Sequence, residues 1–538
     1  MKTMKSATSP LCAGLALCAM AVAGSGLAFA QETKALDSLQ MKGVAVVKVP
    51  VDAAAAAQRL AGGIKFPTIS NQDRKDFNEK AFSDYHQYLA TTYPLLHKTL
   101  KRDIVGEPRK FSLLYTWQGS DPSLDPIVLM GHLDVVPVVP GTEKQWEHDA
   151  FSGAIAGGYI WGRGSLDDKI TVQGIMEAVE MQLMQGFKPK RTIYLAFGQD
   201  EEVGGPEGAG NIVAVLKSRG VSKVAFVLDE GVPITTGLFP GIKGPLALIG
   251  TAEKGFLSLE LKIEAAGGHS SMPPEHSNIG ILAAAITRLE DNPFPYRITQ
   301  GLRDQYRFLG PELPEAYRKM LADVAFGGSG HDAKPTPVGA SAAEPPKYGD
   351  DPTVGFANDS EKSFMHIMKG LPNTRAMLHT TTAVTIFNAG IKDNVLPPSA
   401  TAVVNFRILQ GETIESVIQR VKEIINDDRI KVTDISASVN PSPISDPYGP
   451  EYKLMEKTVR QTWGSPDLLV SPLLVIGGSD AKWFHNSIAK NVYRLTAVRV
   501  ESAADVGRLH GVNERVLVDE YAKSIGFYYQ FLTNAQDL

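Results

Sequence analysis

Cysteine is almost absent from this chain. Only two occur in 538 residues, Cys12 and Cys18. Both fall in an N-terminal stretch where MKTMK supplies lysines, LCAGLALCAMAVAG is a short apolar segment and AFA ends at Ala30. That order is the pattern of a secretory signal cleaved before Gln31, so export to a periplasmic or extracellular site is expected. The remaining chain then has no thiol, which excludes a disulfide, a thiolate nucleophile and a zinc–thiolate site. Any metal must rest on histidine and carboxylate.

Long apolar runs are also missing. No stretch after the signal approaches the twenty or so apolar residues of a membrane span, so no transmembrane helix is expected in the mature form. Charge of one sign is scarce as well: 21% of residues are charged and the net charge is −5, which gives no reason to expect nucleic acid or an anionic membrane as partner. Neither G-x-S-x-G nor H-E-x-x-H occurs, which disfavours a serine-hydrolase elbow and the common zinc-helix signature.

What is present is length and alternation. A chain of 538 residues is too long for one ordinary core. FSLLYTW, PIVLMGHLDVV, RTIYLAFG and KVAFVLDEG read as strands, and DDKITVQGIMEAVEMQLMQG and GAGNIVAVLKSRG as helices between them. Such alternation predicts an α/β domain with a mostly parallel central sheet, whose ligands bind beyond the carboxyl ends of the strands. Near Lys254 the pattern changes to half-exposed strands. FLSLELKIEAAG, NIGILAAAITRLEDN, TTAVTIFNAG, ATAVVNFRIL, TIESVIQRVKEIIN and IKVTDISASVN give a β-α-β-β-α-β order, as in a ferredoxin-like α+β unit. The expected division is a catalytic domain in two parts, 31–256 and 448–538, interrupted by a smaller domain at 257–447. That domain carries an insertion at about 300–375, which contains the Gly-, Pro- and Ala-rich GGSGHDAKPTPVGASAAEPPKYGDDPT, read as a surface loop.

Acids collect where the buried strands end. IVLMGHLDVVP stops on His132 and Asp134, and residues two apart on a strand share a face. WGRGSLDDK sets Asp167 and Asp168 on a glycine turn before a helix, FGQDEEVGG packs Asp200, Glu201 and Glu202 together, and FVLDEG ends on Asp229 and Glu230. Like charges so crowded repel, and a divalent cation is the simplest compensation. RLHGVNERV adds His510 far along the chain. Imidazole and carboxylate donors suit two divalent ions, zinc first, with cobalt or manganese as alternatives. A pair about 3.5–4 Å apart would need a bridging carboxylate.

Taken together, GHLDVVP, GRGSLDDK, DEEVGG, LDEG, GGHSSMPP and HGVNE resemble the aminoacylase/carboxypeptidase S family of co-catalytic zinc peptidases. TTTAVTIFNAG, NVLPPSATAVVNFRI and GGSDAKWF extend the likeness to its secreted N-fatty-acyl-amino-acid synthase/hydrolase enzymes, from about Val51 to Ala535. The resemblance implies His132 as ligand of one metal with Asp134 orienting it, and Asp167 as the bridge. It makes Asp168 a helix cap or a support behind the ligands. Glu201 would be the general base and Glu202 a ligand of the second metal, with His510 its distal ligand. One of Asp229 and Glu230 completes the first site, with Glu230 favoured. His269, in GGHSSMPP, would stabilise the oxyanion, often across a homodimer. Asn394, Arg407 and Gly478 of the GGSD turn would receive the substrate carboxylate. His86, His276 and His331 are read as structural.

The function so implied is metal-dependent hydrolysis of N-acyl amino acids, N-fatty-acyl ones included, or of short peptides with a free C-terminal carboxylate. A carboxypeptidase or dipeptidase on peptides is the alternative. A catalytically dead carrier of acyl amino acids is the reading from another class.

Overall fold

The computed structural model describes residues 36–239, 241–326, 359–485 and 487–538. The signal segment, His331 and the Gly/Pro/Ala-rich loop read from the sequence lie outside the described residues.

Strands with unbroken apolar runs become strands buried on both faces, as a covered sheet requires. Ile127–His132 and Ile193–Gly198 are buried at every position. The eight-stranded sheet runs in the spatial order Lys101–Val105, Ser112–Trp117, Ile193–Gly198, Ile127–His132, Phe226–Thr236, Val492–Val500, Pro245–Glu253, Leu469–Val475. Its centre is parallel: Ile127–His132 pairs with both Ile193–Gly198 and Phe226–Thr236, and Val492–Val500 pairs with Phe226–Thr236. Antiparallel pairings flank that centre, and the edge strand Leu469–Val475 lies parallel to Pro245–Glu253. The helices Lys169–Met184 and Val518–Asn534 pack together over one face, where Val172, Ile175, Phe527 and Phe531 join the main core. Ala209–Ser218 covers the other face through Ile212 and Leu216. The parallel centre aligns its carboxyl ends on one edge, where the acids of the sequence lie.

The second sheet obeys the other periodicity. Gly255–Glu264 and Ser399–Ile408 alternate buried and half-exposed along almost their whole length, so one face is apolar. Its four strands stand in the order Thr381–Ala389, Ser399–Ile408, Gly255–Glu264, Ile430–Asp434, all antiparallel. Asn278–Asp291 and Ile414–Ile425 bury Leu282, Ala285, Val417 and Val421 against the apolar face. This is the ferredoxin-like arrangement. A single residue, Lys254, separates Pro245–Glu253 of the large sheet from Gly255–Glu264 of the small one. Its ammonium donates to the carbonyls of Ala376 and His379, at 2.8 and 2.7 Å.

The described part of the inserted segment is mainly helical. Gln300–Leu309, Glu315–Phe326 and Asp359–Lys369 place Leu302, Leu309, Leu321 and Phe364 in one cluster with Leu246, Leu248 and Leu474 of the large sheet. Among the described residues no helix is long and apolar enough to cross a membrane.

Candidate metal centre

His132 is the last residue of a fully buried strand. Its Nδ1 lies 2.9 Å from the backbone carbonyl of Asp134 and 3.4 Å from that residue's carboxylate. An Nδ1–H donated there leaves Nε2 as the free donor atom toward the cleft. The Asp134 carboxylate has a further task that the sequence did not reveal. It accepts the backbone N–H of Glu201 at 3.1 Å and of Glu202 at 3.2 Å, and so fixes the acid turn to the histidine strand.

Asp167 stands between two imidazoles. One oxygen is 2.9 Å from His132 Nε2 and the other 3.0 Å from His510 Nε2. Glu230 approaches His132 Nε2 at 3.5 Å, and Glu202 approaches His510 Nε2 at 3.2 Å. A carboxylate with one histidine and one further acid on each side is a donor set suited to divalent cations. His510 reaches it from a left-handed backbone turn, with φ of 58°.

The acids beside this core have separate fates. Asp229 turns away from it: its carboxylate accepts the backbone N–H of Ala481 at 2.9 Å and of Glu230 at 2.9 Å. Neighbours on a strand face opposite ways, and Glu230 is the one facing His132. Asp200 is held by Arg74 at 3.0 Å and by the N–H groups of Glu207 and Gly208. Asp168 occupies the N-cap position of Lys169–Met184 but makes no cap bond, so the capping expectation fails. Its carboxylate instead accepts the His132 N–H at 3.2 Å and lies close enough to His132 and Glu230 to share a cation with them. The backbone donor there is already a strand end, which leaves the N–H without a sheet partner to compete.

Electrostatics describe a site with too much negative charge. Desolvation, then Asp167 and Asp168, push the Glu230 carboxyl well up. Desolvation pushes Glu201 up to about 8, with Lys482 the largest opposing influence. Bonds to Asp167 and Glu202 raise His510 to about 11. Desolvation works against the Asp167 carboxylate, but the two imidazoles hold it below the usual range. Glu202 Oε1 is buried with no hydrogen-bond partner. An oxygen-lined, acid-rich cluster with an orphaned carboxylate oxygen fits divalent cations better than protons.

The residues expected at the substrate stand outside the acid cluster. Arg407 sits over the Phe256 ring at 4.8 Å, and the charge of Glu201 acts on its guanidinium. Gly478 is exposed, with open space around its α-carbon. His269 lies on an exposed two-stranded ribbon, paired with Val395, and its Nδ1 meets the Ser271 hydroxyl at 2.8 Å. Asn394 is exposed beside it, its carbonyl accepting the Ser270 N–H at 3.2 Å. No contact of His269 with the acid cluster occurs among the described residues. His86 is buried on the Phe111 carbonyl, and His276 is exposed.

One residue was missed although it stands in a quoted motif. Glu514, in HGVNE, accepts the N–H groups of Leu166 and Asp167 at 2.8 and 3.2 Å. Asp480, in GGSD, is buried with neither carboxylate oxygen hydrogen-bonded. Glu514 was hidden because its partners are far away in sequence, whereas Asp480 belongs to the GGSD turn, 477–480, expected to line the substrate pocket.

Fold and site together define a metal-dependent peptidase. The family model for peptidase family M20/M25/M40 matches residues 128–534, and the chain belongs to that family. It is 38% identical to probable carboxypeptidase S-like 2 of Dictyostelium discoideum, over 89% of this chain and 85% of that one. It is 36% identical to the N-fatty-acyl-amino acid synthase/hydrolase PM20D1 of Mus musculus, over 89% and 88%. Carboxypeptidase S of Saccharomyces cerevisiae is 31% identical, over 89% and 84%. In fold the chain is similar to the M20 family metallo-carboxypeptidase Sso-CP2 from Sulfolobus solfataricus, with a TM-score of 0.62 and 18% identity over 91% of this chain and 100% of that one. Human carnosine dipeptidase 1 gives 0.59 and 15% over 90% and 97%.

Proposed function

We propose that this hydrolase cleaves the amide bond of N-acyl amino acids, fatty-acyl ones included, whose product end carries a free carboxylate. The observation that carries the reading is Asp167 set between His132 and His510, each with its own acid. His132 and Glu230 would hold one divalent cation, His510 and Glu202 the other, and Asp167 both; zinc suits the donors best. Bound there, the cations would polarise the amide carbonyl and acidify a water.

The chain's own groups do the rest. Glu201 takes the proton of the attacking water at its carboxylate and returns it to the departing amine nitrogen. Its position is set by the Asp134 carboxylate, which holds the Glu201 N–H. Arg407, close enough to Glu201 to feel its charge, receives the substrate carboxylate. Gly478 and Asn394 line that end, and His269 meets the oxyanion.

Because His269 and Asn394 lie together on an exposed ribbon, both would act from the second copy in a homodimer. The half-exposed edge strand Thr381–Ala389, with Ile386 and Phe387 outward, is the face offered for that contact. Export with cleavage before Gln31 completes the proposal, and N-terminal sequencing of exported protein tests it.

The deciding experiment compares metal-loaded and chelated protein on N-oleoyl-phenylalanine and on blocked dipeptides. Chelator-sensitive cleavage of the acyl amino acid is expected. A rate favouring peptides throughout makes this a carboxypeptidase, and no chelator-sensitive cleavage of either substrate rejects the hydrolase reading.

A further inference from the structure

A cavity of about 60 Å³ opens beside the metal-site acids. Asp167 and Glu230 border it, and Leu166, Pro233, Val506 and Leu509 form much of its wall. We propose that this cavity receives the first carbons of the acyl group, and that it selects an uncharged, slender acyl chain over the amino terminus of a peptide. The proposal rests on the amide-hydrolase reading above and adds the direction in which the substrate lies.

Charge gives the direction. A substrate carboxylate entering the cavity would find no basic side chain in its lining, which has Asp505 beside Asp167 and Glu230, and would lose its water unpaired. Lys482 and Arg407, whose charges couple to the Glu201 carboxyl, are both absent from the cavity lining. The carboxylate end therefore points to those cations and the acyl end to the cavity. An ammonium group fares no better than a carboxylate there. Asp505 is already held by Arg508, by the Ser502 hydroxyl at 2.5 Å and by Arg515 at 3.5 Å. Both oxygens of Asp167 are engaged by histidines, and Glu230 faces His132. A peptide's free amine would lose its water without gaining an acid.

Size gives the shape. An apolar cavity of about 150 Å³ holds a benzene ring. One of about 60 Å³ takes methylenes in single file and leaves no room for a ring or a branch. Burying each methylene there is worth about a fourfold gain in kcat/KM until the cavity is filled.

The test uses metal-loaded full-length protein with bound metal measured in every sample. For the wild type, kcat/KM is expected to climb from N-formyl- to N-butanoyl-phenylalanine and then level. N-benzoyl-phenylalanine should fall below N-butanoyl, and N-propanoyl-phenylalanine should exceed Ala-Phe, its amine-bearing counterpart, at least tenfold. Val506→Trp should lower the N-hexanoyl to N-formyl ratio at least tenfold. Val506→Asp, which adds a carboxylate to the wall, should move the propanoyl to Ala-Phe ratio at least tenfold toward the dipeptide, and it serves if the tryptophan variant does not fold. A flat chain-length series, a preference for Ala-Phe in the wild type, or ratios unmoved in the folded variants overturns the pocket assignment while leaving the hydrolase. Failure of metal-loaded wild type to cleave any of these amides overturns the underlying reading instead.

Discussion

Arg163 and Glu514 meet at 2.5 Å with side chains only 2% and 0% exposed. The other Glu514 oxygen accepts the Asp167 N–H, and Arg163 donates to the Gly511 carbonyl at 3.0 Å, next to His510. One buried ion pair thus ties the Asp167 turn to the loop of His510.

Removing that tie should loosen the metal before it touches the chemistry. Glu514→Ala leaves Arg163 buried and unpaired, which costs about 3–5 kcal/mol of stability. Groups supporting metal ligands typically account for about 10–100-fold in metal affinity, so Glu514→Ala should lose ions on desalting. Glu514→Gln keeps an acceptor for the two N–H groups and should retain more. Elemental analysis after gel filtration reads both.

Glu201→Gln should bind metal as the wild type does and lose about 10²–10⁴-fold in kcat, the usual worth of a positioned base. Near-normal turnover with full metal content removes Glu201 from that role.

The two histidines should separate by stoichiometry. His510→Ala removes the ligand opposite Glu202 and should leave one ion per chain, whereas Asp167→Asn weakens both positions at once. Equal ion content in the two variants contradicts Asp167 as the shared ligand.

Acid should destabilise the fold through histidines outside the site. Burial lowers His86 and His379 to about 4 and His485 to about 3, from an ordinary 6.5. The unfolded chain takes protons at 6.5 that the folded chain refuses until about 4 or below. Their contribution is therefore complete above pH 6.5 and lost as pH falls toward 4. Each is worth on the order of 3 kcal/mol when fully expressed. Thermal melts from pH 7 to 4.5 should drop steeply, and His485→Gln should flatten the slope; a pH-independent Tm in that window contradicts the assignment.

The large sheet was legible because its central strands are continuous apolar runs ending in acids, and the small sheet because its strands alternate. His132, Asp167, Glu202, Glu230 and His510 were readable for a related reason: each ends an apolar element or sits in a glycine turn, where an ionisable side chain needs a partner. Side-chain bonds to backbone were not readable. Asp134 holding the acid turn, Asp168 holding the His132 N–H and Glu514 holding the Asp167 turn all join segments remote in sequence. Periodicity carries no information about such contacts. The choice between Asp229 and Glu230 likewise needed the strand's actual orientation, since alternation says that they diverge but not which one faces inward.

Lys254 deserves a mechanical reading. One residue joins the sheet that carries Glu201 to the sheet that carries Arg407, and its ammonium is pinned by two carbonyls. On the proposed function, the group that grips the acidic end and the group that takes the proton therefore sit on two sheets joined through one short, pinned link. A molecule without that acidic end would engage only one of the two sheets.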